Sequence, residues 1–525
     1  MGHPPDPRPR RPINSHSPDS RELLRVPPAW STGRDLDRPP AGRTPGLRAL
    51  LSSTVAALCV SACAVGPDYR PPETAAPNAW TGAGEQGTRL VSDAPATGLA
   101  TWWTSLDDPL LTELVEAALA ANLDVASAQA RLRQVRAQRV VAASGLYPAL
   151  GASADGRRAN ASVETSGRNV TADAYGAGLD ASWEIDVFGG TRRGVEAATA
   201  EVQASAAQLA ATQVSLAAEV ASNYVDVRLQ QALIRIARDN AASQAETLQL
   251  TEWRAQAGLA SVQDVEQART NLERTRAQVP ALETSLAASE HRLETLLALT
   301  PGSLHERLSA PAPALAVPAR LTVGIPADTL RQRPDVRAAE RTLAAETARI
   351  GQAEAALYPS FTLSGSLGVE SLTLGTLMSG DSGVWSILGG IAAPLFAGGA
   401  LRAQVAAQDA VRDQALAEYR KTVLTALEEV ENALVALSNN QARDTSLVTA
   451  VESARLADTL ARERYTAGLV DFQSVLDTDR TVLTVEETLA QNRADGVLAL
   501  VRLYKSLGGG WSPGANNEPQ GDAEP

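Results

Sequence analysis

The sequence predicts a mainly α-helical, elongated chain with a small β element of the membrane type, built twice over. Three observations predict it. The stretch from Ala400 to Ala467 contains no Gly or Pro and is rich in Ala, Leu, Glu and Arg, the composition of a strong helix former. At about 1.5 Å per residue it is roughly 100 Å long, far beyond the usual three turns. A second breaker-free run extends from Val195 to Ala257. Between the helical runs the period changes. Tyr175, Ala177, Leu179, Ala181, Trp183, Ile185 and Val187 alternate with Gly176, Gly178, Asp180, Ser182, Glu184 and Asp186, long enough for a tilted strand to cross a bilayer. Finally, the plan recurs. Asp335-Val336 and Leu357-Tyr358-Pro359 answer Asp124-Val125 and Leu146-Tyr147-Pro148, Phe396-Ala397-Gly398-Gly399 answers Phe188-Gly189-Gly190, and Ala467-Gly468-Leu469 answers Ala257-Gly258-Leu259. Ordered landmarks at a nearly constant separation mark a duplicated unit.

Composition narrows the class. The 525 residues carry a net charge of −13, which argues against a nucleic-acid partner. The four histidines, at 3, 16, 291 and 305, are scattered. The body has no apolar run of 18 or more residues, so no ordinary spanning helix is expected. No Walker loop, zinc spacing, nucleophile elbow or His-centred constellation is present, so no enzyme is expected.

The elements follow in order. Residues 1–42 are rich in Pro and Arg. Arg43 and Arg48 precede the apolar stretch Ala49 to Ala62, and small residues lead to Cys63. A basic region, a short apolar region and small residues read as a secretory signal. The sequence Val60-Ser61-Ala62-Cys63 resembles a bacterial lipobox, which implies a mature chain beginning at Cys63 with a diacylglyceryl thioether and an N-acyl lipid. The segment 63–109 reads as extended against the body, anchored by Trp102 and Trp103. A helix is expected from Leu110 to Gly145, with Leu114, Ala118, Leu123 and Leu132 inward. A strand from about Ala149 to Arg158 precedes the alternating strand, and Phe188-Gly189-Gly190 stops the pair. The first rod runs to the Ala257-Gly258-Leu259 break, and a return helix starts at Ser261, bends at Pro280 and stops near Pro301. The first repeat thus covers 110–300. A Pro-rich linker, 301–328, leads to the second repeat, 329–508, and a tail, 509–525. In the second repeat Phe361, Leu363, Leu367 and Val369 mark one strand, and Trp385, Ile387, Ile391 and Leu395 mark its partner. Aromatics crowd the strand ends, as girdles do at membrane interfaces.

Four strands cannot close a barrel, yet strands in lipid must close. Several copies sharing one barrel resolve this, and the apolar stripes of the rods also need neighbours.

The stretch from Gly324 through Arg331-Gln332-Arg333-Pro334-Asp335-Val336 resembles the linker-to-helix signature of TolC-type outer-membrane channels. Cys63-Ala64-Val65-Gly66-Pro67-Asp68-Tyr69, Tyr465-Thr466-Ala467-Gly468, Val475-Leu476-Asp477 and Tyr504-Lys505-Ser506-Leu507-Gly508-Gly509-Gly510-Trp511 resemble its lipoprotein, NodT-like branch, which serves RND-type efflux. The resemblance spans about residues 63 to 511. It implies a homotrimer with a 12-stranded β-barrel, four strands per chain, in the outer membrane, continuous with a periplasmic α-helical barrel. It implies the exit duct of a tripartite system that exports small molecules, with a periplasmic adaptor and an inner-membrane RND transporter as partners and no cofactor beyond the lipid. A channel for type I protein secretion, and a periplasmic adaptor or structural coiled-coil lipoprotein, are the alternatives. By the same resemblance Tyr465 and Asp477 match gate positions, and Asp471 and Asp479 are further acids beside them. Ser474 stands where the best-known relatives have an acid, and Leu469-Val470 takes the place of a polar pair that contains a basic residue. Gly258, Leu259, Gly468 and Leu469 form the helix tips where an adaptor would dock, although Gly at these turns also suits a helix C-cap.

Overall fold

The computed structural model of the chain describes residues 64–73, 77, 80, 98–161, 164, 167, 169–310, 317–318 and 330–511. After a short 3-10 stretch, Leu99–Leu106, come α1 (Pro109–Ala121), α2 (Leu123–Ser144), β1 (Ala149–Ala161), β2 (Val170–Ile185), α3 (Gly190–Gln256) and α4 (Val262–Leu296). The second set is α5 (Pro334–Ala355), β3 (Ser360–Ser371), β4 (Gly383–Ala392), α6 (Ala400–Thr466) and α7 (Phe472–Ser506). The duplication is metrical: α3 and α6 have 67 residues each, and α4 and α7 have 35 each.

The termini follow from backbone chemistry. Gly189 (φ 81°) and Gly399 (φ 86°) take the left-handed conformation that starts each rod, and Gly258 (φ 74°) and Gly468 (φ 73°) take it at the tips. At both tips the residue after Gly closes a Schellman-type bond: the Leu259 amide to Arg254 O (2.7 Å) and the Leu469 amide to Arg464 O (2.8 Å). Each return helix opens on a side-chain cap. Ser261 forms a reciprocal capping box with Asp264, and Asp471 accepts from the Ser474 amide.

One expected helix is two. The segment from Leu110 to Gly145 breaks at Asn122, whose backbone is extended (φ −62°, ψ 136°). Its side-chain oxygen accepts from the amides of Asp124 (2.8 Å) and Val125 (3.2 Å), and its amide nitrogen donates to Leu296 O (2.9 Å). An N-cap with a tertiary partner outweighs one helical bond. Leu123, expected inside, is consequently 70% exposed, while Leu114, Ala118 and Leu132 are buried as expected. β4 also stops at Ala392, before Pro394, so Leu395 lies beyond the strand and is exposed.

The main core forms a belt around Trp102, Trp103, Leu111, Tyr224, Leu293, Leu437, Leu500 and Leu503. Trp102 stacks on Tyr504 with centroids 5.2 Å apart. Asp108 caps α1 through the amides of Leu110 and Leu111 and accepts a 2.6 Å bond from the buried Tyr224 hydroxyl. Beside the sheet the helices neighbour one another in the order α2, α3, α5, α6, and beyond the belt in the order α4, α3, α7, α6. No described helix is long and apolar enough to cross a membrane.

Candidate functional site

The four strands form one antiparallel sheet in the order β1-β2-β3-β4. Its register separates two faces. Leu179 lies opposite Leu367, which lies opposite Trp385; Ile185 opposes Phe361, which opposes Ile391; Trp183 opposes Leu363. On this face Leu179, Leu367, Trp385 and Ile391 are 58%, 65%, 75% and 72% exposed, so the face lacks a core to cover it. The other face carries Asp155, Asp180, Glu184, Glu370, Ser182, Ser364, Ser366 and Ser386. Ser153 donates to Asp180 (2.9 Å), and the Ser366 and Ser386 hydroxyls bond each other (2.7 Å). An exposed apolar face backed by a polar one is the pattern of strands between lipid and a wet lumen. β1 and β4 each keep one free edge, and unpaired edges are not tolerated in hydrocarbon.

At the other end the two hairpins are tied together by arginines. The Arg462 Nε donates to Asp458 (2.8 Å), its Nη1 donates to Thr247 Oγ1 (2.9 Å) and Ser243 O (3.3 Å) on α3, and its Nη2 pairs with Asp479 on α7. One guanidinium thus joins α3, α6 and α7, using the fork geometry only Arg supplies. Arg254 donates to the carbonyls of Tyr465 (2.9 Å) and Thr466 (3.0 Å), satisfying the end of α6, and its guanidinium lies 4.5 Å from the Tyr465 ring centre. Tyr465, Phe472, Val475, Leu476 and Ala268 form the small apolar core of the tips.

The packing is polar and incomplete. Gln244 Oε1, Arg254 Nε, Asn271 Nδ2, the Tyr465 hydroxyl and Asp479 Oδ2 are buried without a hydrogen-bond partner in the chain. Burial pushes the Asp479 carboxyl up to about 7; Arg462 opposes the rise and the Asp458 charge adds to it.

The sequence-derived residues divide among these environments. Tyr465 is buried in the tip core. Asp471 is exposed and caps α7, accepting from the Ser474 hydroxyl (2.7 Å) and amide (3.1 Å), which hold its carboxyl below the usual range. Asp477 is exposed, accepts from Gln473 (2.8 Å) and lies 3.9 Å from Arg480. Gly258, Leu259, Gly468 and Leu469 are exposed at the tips, Leu259 at 69% and Leu469 at 74%. Asp479 is the acid that the structure brings into a network. Cys63 and residues 324–329 of the linker signature lie outside the described residues. Sequence reasoning missed Arg254 and Arg462. The only local signal was Asp458–Arg462 at i,i+4, a spacing ordinary on solvated helices.

A sheet with one lipid-compatible face and two open edges, joined to paired helical rods, defines a subunit of a membrane channel. A model of the family described as "Outer membrane efflux protein" matches the chain twice, over residues 114–299 and 325–509, and the chain belongs to that family. It is 33% identical over 459 residues to Nodulation protein T of Rhizobium leguminosarum bv. trifolii, covering 87% of this chain and 96% of that one. It is 32% identical over 469 residues to the probable efflux pump outer membrane protein TtgC of Pseudomonas putida, covering 88% and 96%. Among solved structures it resembles the outer-membrane channel OprN with a TM-score of 0.81 and 38% identity, over 86% of this chain and 100% of that one. The TolC-like fold expected from the sequence is the fold of the chain, with four strands per copy. The protein is the exit duct of an RND-type efflux system, with its β end in the outer membrane and its helices in the periplasm.

Proposed function

We propose that three copies close a 12-stranded barrel and a continuous helical barrel, and that the Arg254 and Arg462 contacts hold the periplasmic end shut until an adaptor engages it. The observation that carries this reading is the coincidence of open edges. β1 and α2 bound the same side of the chain, β4 and α6 the other, and α4 and α6 bound the hairpins. A second copy can therefore continue the sheet and the helical layer together. Each copy supplies four strands, and closed outer-membrane barrels need eight or more.

The tip supports a gate because Arg254 and Arg462 stitch its helices together around a small apolar core. Tyr465 is its aromatic centre, Asp471 shapes the turn, and Asp477, exposed beside Gln473 and Arg480, is placed to meet other copies. Exposed Leu259 and Leu469 offer an adaptor two apolar contacts per chain, while Gly258 and Gly468 allow the tight turns. Small molecules are the cargo, with an inner-membrane RND transporter as the engine; the duct itself performs no reaction. Residues 63–109, 110–300, 301–328 and 329–508 then act as anchor segment, first repeat, linker and second repeat, and Cys63 carries the lipid.

Gel migration tests the assembly. A heat-modifiable trimer from outer membranes is expected to dissociate to monomer on boiling. A detergent-free, soluble periplasmic monomer would overturn the proposal.

A further inference from the structure

The segment just after Cys63 occupies a seat that belongs to one repeat only. The Val65 amide donates to Phe188 O (3.1 Å), where β2 gives way to α3. Arg193, in the first turn of α3 and only 6% exposed, donates from Nε to Val65 O (3.1 Å) and from Nη2 to Gly66 O (3.1 Å) and Asp68 Oδ1 (2.8 Å). Its Nη1 bonds Glu196 (2.8 Å), which completes its fork. Three glycines clear the space. A Cβ on Gly66 would lie 2.3 Å from Gly351 Cα, one on Gly351 2.9 Å from Val65 O, and one on Gly189 2.8 Å from Ala64 Cβ. Farther along, Tyr69 donates to Glu340 (3.2 Å) and packs with Ala200, Ala344 and Ala345. The segment therefore lies over the seam between α3 of the first repeat and α5 of the second.

The duplication supplies an internal control. At the position matching Arg193 in the second repeat stands Ala403, and at the position matching Gly351 in the first stands Val140, which is 65% exposed. If helix packing alone required these residues, both halves would keep them. The chain has one segment 64–68, and one half is built to receive it.

We propose that Arg193 is a positioning residue for the mature N-terminus. It fixes residues 64–68 at the junction of sheet and helices, staples the two repeats together there, and sets the distance between a lipid on Cys63 and the barrel rim. The last point rests on the lipidation proposed above; the seat for residues 64–68 does not.

Hydrogen–deuterium exchange on the purified full chain in detergent tests it. With Arg193→Gln, exchange over residues 64–69 is expected to accelerate at least tenfold, while Ala403→Gln leaves it unchanged. Gly66→Ala attacks the seat from the strap side and is expected to release the same peptide with heat-stable assembly intact. Unchanged exchange in Gly66→Ala, or in an assembled Arg193→Gln, would overturn the proposal. Labelled palmitate separates the two readings. The label is expected to persist in Arg193→Gln and vanish in Cys63→Ser. Its persistence in Cys63→Ser would refute the placement of the lipid on Cys63 while leaving the exchange result to decide the seat.

Discussion

The two repeats share a metre and differ in chemistry. Both have a 67-residue rod, a glycine-turned tip and a 35-residue return helix. Yet the first seats the N-terminal segment on Arg193, where the second has Ala403. The second carries Arg462 at the tip, where the first has Glu252, whose ion pair with Arg269 is exposed. The second ends α7 on Gly508, and the first ends α4 on Ala298. Shared positions thus build the wall, and the departures are the Arg193 contacts with residues 65–68 at one end and the Arg462 network at the other.

The wall itself is where the repeats are equivalent, and breaking it has the largest effect. Leu179 and Leu367 face each other across the β2–β3 seam on the exposed apolar face. An Arg at the midplane of a lipid-facing strand costs about 2–4 kcal/mol per copy. Leu179→Arg and Leu367→Arg are therefore each expected to abolish heat-stable trimer in outer-membrane fractions, whereas Ser366→Arg, on the polar face, is expected to assemble. Different outcomes for the two leucines would break the equivalence.

The tips come next. Arg462→Ala leaves Asp479, 3% exposed, without its counter-charge, and breaking such a buried pair costs about 3–5 kcal/mol. The variant is expected to unfold at lower temperature and to conduct more in planar bilayers. Glu252→Ala, at the matching position, removes an exposed pair worth about 0.2–1 kcal/mol and is expected to leave conductance unchanged.

The helix ends sharpen the comparison further. Ala298 holds φ 56°, a conformation that costs an L-residue about 1–2 kcal/mol, where Gly508 holds φ 75° without penalty. Ala298→Gly is expected to raise thermal stability by about 1 kcal/mol and Gly508→Ala to lower it by at least as much, read by scanning calorimetry. A Cβ on Gly508 would also lie 3.2 Å from Arg333 Cα.

The last comparison is a pH dependence. Asp479 binds its proton more tightly in the fold, at about 7, than an unfolded Asp does, at about 3.9. The folded state then holds the extra proton between these values, so this site's contribution to stability rises as pH falls from 7 toward 4. Asp479→Asn is expected to flatten the pH dependence of the melting temperature over that window relative to the parent. An unchanged slope would show that Asp479 does not titrate there.

Much of this was legible in the sequence because it is periodic. Alternation located β2 and β3, breaker-free runs located the rods, and Ala-Gly-Leu marked both tips through a backbone need that only Gly meets freely. What stayed hidden depends on contacts between distant segments. Asn122 looked like one polar residue in a helical pattern until its bond to Leu296 O made it a cap. Arg462 looked like half of a surface pair until Asp479 and Thr247 arrived from two other helices. Arg193 showed only an ordinary i,i+3 pairing with Glu196, since its other partners lie about 125 residues upstream.

Disulfide trapping across the sheet edges tests the shared barrel most directly. Within one chain β1 and β4 are three strand spacings apart, about 14 Å, beyond the roughly 7 Å limit between bridged Cα atoms. A cysteine fixed at Trp385 on β4 and scanned along β1 from Leu150 to Ala154 can bridge only between copies. Oxidation is expected to give a covalent trimer at alternate β1 positions. Membrane-inserted chain that stays monomeric at every position would contradict the closure of the barrel by three copies.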